Sequence, residues 1–130
     1  MQKDLGLFFL RVGIGLMMAL SHGWGKLSNF TNLSGSFPDP IGLGSSISLT
    51  LTVFAEFFCA LAVVVGLFTR WASIPLLITM LVAALMVHSH DPFAKKEFAL
   101  LYALPFLTLI LTGGGKFSLD GIIRRKKNNS

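Results

Sequence analysis

Long apolar runs broken by single charges set the pattern of this chain. Residues 5–24 are apolar except for Arg11 and a few polar positions, residues 47–68 are interrupted by Glu56, residues 71–87 carry no charge, and residues 98–112 form a shorter apolar run. A helix that crosses a bilayer needs about 20 mainly apolar residues, because its backbone polar groups must be satisfied internally. The pattern therefore predicts an all-α integral membrane protein, a single domain over residues 1–130 built as a four-helix bundle. The fourth run is short, and snorkelling of Lys95 and Lys96 with extension into Gly113, Gly114 and Gly115 is expected to complete it. A cleaved signal peptide ending near Ala19 and Ser21 is disfavoured by Arg11 inside the apolar region and by Asp4 before it.

The connections fix the order of the helices. Phe68-Thr69-Arg70-Trp71 is a tight link, so the second and third spans should form a hairpin. The loop 27–46 is longer and rich in Ser, Gly, Asn and Pro, with a turn forced at Pro38-Asp39-Pro40, and is expected to cap the bundle. Its two Asn-x-Ser/Thr sites, at Asn29 and Asn32, are read as chance. With both termini cytoplasmic, eight Lys and Arg fall inside and only Lys26, Lys95 and Lys96 outside, as the positive-inside bias requires. Trp24 and Trp71 then lie at span ends.

Composition agrees with the membrane reading, with 53% hydrophobic and 13% charged residues and a mean hydropathy of +0.72. A soluble domain carries about 25% charged residues. The net charge of +5 lies mostly in Arg124, Arg125, Lys126 and Lys127, a terminal run suited to topology and anionic lipid and not to nucleic acid. The single cysteine, Cys59, rules out an intramolecular disulfide relay; it reads as a small core residue.

Charges inside the spans carry the candidate chemistry. Arg11, Gly15, His22 and Lys26 share one face of a regular α-helix to within about 60°. Glu56, near the middle of the second span, is the expected partner of Arg11 and should be paired or protonated. The plain alternative is an architectural ion pair. His22, His88 and His90 are expected at the outer surface with Lys26, Asp91 and Glu97, a set suited to proton transfer or to Zn, Fe or Cu. His88 and His90 diverge on any helix, so interfacial histidines are preferred to a metal site. Tyr102 offers a hydroxyl in the fourth span, and Pro105 frees a carbonyl one turn earlier.

These pieces resemble the DoxX family of small four-helix membrane proteins over nearly the whole chain. The resemblance rests on Leu10-Arg11-Val12-Gly13, then His22-Gly23-Trp24-Gly25-Lys26, then Glu56 ahead of Gly66-Leu67-Phe68-Thr69-Arg70, then Glu97 and Tyr102. Gly113-Gly114-Gly115-Lys116-Phe117-Ser118-Leu119-Asp120 closes it. Many relatives carry Gly-Pro-Gly where this chain has three glycines.

The resemblance implies a subunit or accessory of a membrane oxidoreductase system, such as thiosulfate:quinone oxidoreduction, in a bacterial inner membrane. Arg11, His22, Lys26, Glu56, Arg70 and Glu97 are the family-like polar positions. The first functional reading is a polar intramembrane pocket binding a quinone-like or other small amphipathic molecule, walled by Phe8, Phe54, Phe57 and Phe58 and lined by Arg11, His22, Lys26, Glu56, Glu97 and Tyr102. No flavin, haem or nicotinamide fingerprint is visible, so electrons would come from a redox partner protein. The other readings are a non-enzymatic scaffold that recruits a partner or a second copy, and transport of protons or small solutes.

Overall fold

The structure, a computed structural model, describes residues 1–129, and these contain helices and no strand. In chain order they are α1 (Gln2–Ser28), α2 (Phe30–Leu33), α3 (Ser45–Val65), α4 (Thr69–Val87), α5 (Phe93–Thr112) and α6 (Leu119–Asn129). Among the described residues α1, α3 and α4 are long and apolar enough to cross a membrane. The 20 residues of α5 span about 30 Å at 1.5 Å per residue, but Lys95, Lys96 and Glu97 occupy its first turns. The expectation of four spans therefore has three helices of full length and apolarity behind it.

Packing runs α1 on α3, α3 on α4 and α4 along α5, with α5 returning to α1. The shared core contains Met18, Ala60, Val63, Leu76 and Phe106, all fully buried. Outward positions are apolar as well: Phe9, Leu20, Phe54, Leu85, Leu104 and Leu111 are each more than half exposed. An apolar exterior of that extent is what hydrocarbon requires and water penalises.

Among the described residues three wide π turns distinguish this fold from four regular rods; one, at Ala83–Val87, ends α4, and the other two pack together. Of that pair, one occupies Ala19–Gly23 in α1 and the other Phe54–Cys59 in α3, and they face each other. Contact is at backbone distance, since a Cβ on Gly23 would lie 2.5 Å from the Glu56 carbonyl oxygen. Each π turn takes an extra residue into the helix and rotates the succeeding turns by about 100° relative to a regular α-helix. The predicted stripe on α1 is thereby split: Gly15 and Lys26 address α3, whereas the His22 ring turns to Tyr102 on α5.

At the opposite end the chain closes on itself. α3 ends at Gly66, whose φ of +77° is the left-handed conformation of a helix stop. Leu67 N–H reaches the Ala62 carbonyl at 2.9 Å and Gly66 N–H reaches the Val63 carbonyl at 3.1 Å, a Schellman pattern. The guanidinium of Arg11, 1% exposed, donates to the Val63 and Val64 carbonyls of this last turn and to the Phe117 carbonyl at 2.8 Å. Asp120 accepts from the N–H groups of Phe68 and Thr69, both at 2.8 Å. Its charge thus sits on the N-terminus of α4, where the helix dipole favours an anion. The Gly-rich Ser-Leu-Asp segment is a clasp that ties α6 to the α3–α4 hairpin.

The expected Arg11–Glu56 pair is therefore corrected. Arg11 caps α3 at the terminal end of the fold, and the carboxylate whose charge reaches it is Asp120. Seven residues separate Val63 from Glu56, about 10 Å along the helix, so the two predicted partners lie at different depths.

Candidate functional site

Glu56 is 4% exposed and its Oε2 accepts from Lys26 Nζ at 2.7 Å. Lys26, in the last turn of α1, lies on the face that Gly15 turns to α3, and Glu56 sits in the π turn of α3 that meets the one in α1. His22 is near enough to feel both charges, and Tyr102 feels that of Glu56. The His22 and Tyr102 rings meet edge to face at 5.2 Å. Four predicted site residues, Lys26, Glu56, His22 and Tyr102, are thus brought into one polar cluster inside an apolar body.

This cluster borders a cavity of about 380 Å³ between α3, α4 and the loop before α3. Lys26 and Glu56 supply its charged wall, and Leu51, Ile78, Val82 and Val87 its apolar walls. Phe37, Pro38, Pro40 and Ile41 form the lid. Asp39 holds that lid in place: it accepts from Ser48 Oγ at 2.7 Å, from Gly44 N–H at 2.7 Å and from Leu43 N–H at 2.9 Å. These bonds, the Ser48 hydroxyl foremost, keep its carboxyl below the usual aspartate range. The latch is charged at neutral pH.

Other predicted residues are placed elsewhere. Glu97 is exposed on α5 and borders no part of the cavity, and Arg11 belongs to the terminal clasp. Of the predicted aromatic walls none lines the cavity: Phe54 and Phe58 point outward, Phe57 meets Trp24, and Phe8 lies beside Arg11. His88 reaches the cavity rim and bonds Asp91 at 2.7 Å. That bond, with Lys95 and Lys96 nearby, holds the Asp91 carboxyl low. His90 is exposed. The three histidines do not converge, and among the described residues no group of three or more His, Cys, Asp or Glu is placed to hold a metal.

Sequence reasoning expected the loop to cap the bundle but missed the Asp39 latch and the α4 wall. The available signal was Pro38-Asp39-Pro40 followed by Ser48, a rigid turn with a carboxylate within reach of the next helix. Chemically, the site combines an ammonium donor and a carboxylate acceptor in the wall of a half-open, largely apolar cavity, with the imidazole–phenol pair of His22 and Tyr102 behind them and outside its lining.

The DoxX family model matches residues 6–89. An inner membrane protein of Escherichia coli K12, YqjF, is 25% identical over 130 residues, covering 95% of this chain and 96% of the relative. An uncharacterized protein of Haemophilus influenzae is 31% identical over 131 residues, with 92% of each chain covered. A second one from the same organism is 26% identical over 107 residues, covering 78% of this chain and 71% of its own. No solved structure matches.

Proposed function

The chain belongs to the DoxX family of integral membrane proteins, and from that premise we propose that it binds a quinone-like ring in the cavity beside Lys26 and Glu56. The observation that carries this reading is an ion pair of the buried Glu56 carboxylate and the half-buried Lys26 ammonium in the wall of a largely apolar cavity of about 380 Å³, within the range of about 300–1,000 Å³ common for small-ligand sites. The Lys26 ammonium keeps N–H groups beyond the one given to Glu56 and presents them to a ring carbonyl. Glu56 accepts from a ring hydroxyl, and the apolar walls exclude water from both bonds. Electrons are supplied by a partner redox protein, which makes this chain a binding subunit or accessory.

In the same proposal α5 crosses the bilayer as a fourth span, with both termini on the cytoplasmic side of a bacterial inner membrane. Charge segregation supports it. The end that holds both termini and the α3–α4 turn carries eight Lys and Arg against Asp4 and Asp120, whereas the other end carries three against four acids. Such a bias orients bacterial membrane proteins.

Protein in lipid nanodiscs, titrated with a short-chain benzoquinone, should bind saturably. Glu56→Gln should weaken binding about tenfold or more, the worth of one charge-assisted hydrogen bond. Val82→Trp, which fills the cavity, should abolish it. Binding indifferent to both substitutions, or none in the wild type, contradicts the proposal.

A further inference from the structure

The terminal helix α6 has a surface that the rest of the fold leaves uncovered. Its main attachment is at the first turn: Asp120 bonds the α3–α4 turn, and Gly121 N–H meets Ser118 Oγ at 3.1 Å. A Cβ at Gly121 would stand 2.5 Å from the Lys116 carbonyl oxygen, so the glycine side is the side that faces the protein. Beyond that turn α6 packs along no other helix. Leu119, Ile122 and Ile123 are 40%, 40% and 54% exposed, and at 100° per residue they fall within one arc of about 100°. Arg124, Arg125, Lys126 and Lys127 come next in the chain, with Arg125 reaching back to the Lys116 carbonyl at 3.4 Å.

We propose that α6 is an interfacial helix that inserts Leu119, Ile122 and Ile123 into the acyl boundary of the membrane and binds anionic phospholipid headgroups through its basic run. An apolar arc beside a cluster of cations is the composition that holds a short helix in the plane of a charged leaflet. The clasp decides its position. Asp120 pins the start of α6 to the end of the α3–α4 hairpin, which is the depth at which two spanning helices leave the hydrocarbon. Asp120 and Asp4 are turned to other partners than Arg124 and Arg125. Asp120 is engaged by two backbone N–H groups, and Asp4 by the Lys116 N–H and the terminal amine. Each Lys or Arg near an anionic surface strengthens attachment roughly fivefold, so the run adds materially to what the three apolar side chains supply.

A nitroxide at Ile123→Cys, in a Cys59→Ala background, reports the depth of α6 in the full-length protein. Reconstituted in phosphatidylglycerol bilayers, the label should collide with oxygen and be shielded from a water-soluble nickel complex. In phosphatidylcholine bilayers, or with Arg124, Arg125, Lys126 and Lys127 all replaced by Gln, nickel accessibility should rise at least fivefold. A water-exposed label in phosphatidylglycerol would overturn the proposal. Equal depth in both lipids, unaffected by the Gln substitutions, would overturn anionic headgroup binding.

Discussion

Arg11→Ala is expected to lower stability by about 3–5 kcal/mol, because it removes one buried donor from three carbonyls at once. The Val63 and Val64 carbonyls belong to the last turn of α3 and that of Phe117 to the terminal clasp. In hydrocarbon no water replaces the lost bonds. Arg11→Lys should recover only part of the loss, since an ammonium lacks the planar fork that reaches two chain segments together. Reversible unfolding in mixed micelles measures both. A loss below about 1 kcal/mol for Arg11→Ala would mean that the clasp does not hold α3 and α6 together.

The second large effect concerns the ion pair at the cavity. Lys26→Met leaves the carboxylate of Glu56, 4% exposed, without its counter-charge and should cost about 3–5 kcal/mol. Adding Glu56→Leu should restore most of that stability, because removing a whole buried pair is far less harmful than removing half of it. The coupling energy in this double-mutant cycle should exceed about 1 kcal/mol, whereas a cycle between Arg11→Lys and Glu56→Leu should be additive to within about 0.5 kcal/mol. The two cycles distinguish the observed pairing from the one that helix periodicity predicts. Strong coupling of Arg11 to Glu56 would contradict the structure.

That contrast shows how far the sequence can be read. Three helices long and apolar enough to span and the α3–α4 hairpin were legible, because hydrocarbon imposes length and apolarity on each span independently of its neighbours. The residues of the polar cluster were legible by type, since charge in a span is costly and must face a partner. Partner identity was not. It depends on depth, which puts Lys26 and not Arg11 level with Glu56, and on the π turns at Ala19–Gly23 and Phe54–Cys59, which no periodicity of 3.6 anticipates and which turn His22 away from the face that Arg11, Gly15 and Lys26 present to α3. That the loop caps the bundle was legible, but where it rests was not, because its position depends on Asp39 bonding Ser48 across the loop. Glu97 was misread because its place in a helix was clear and its direction was not.

The cavity and its ion pair also account for a feature that packing alone leaves unused. Two helices that only needed to adhere would bring apolar side chains together at Gly23, yet here backbone contact at that glycine places an acid and a base in the wall of a cavity. The most direct test of that volume as a ligand site is photolabelling in native membranes with an azido-benzoquinone, with the labelled peptides then mapped. Labelled residues are predicted within 51–56 of α3 or 78–87 of α4 and should be protected by excess unmodified quinone. Labelling confined to the outward faces of α1 and α5, or unaffected by the competitor, would contradict it.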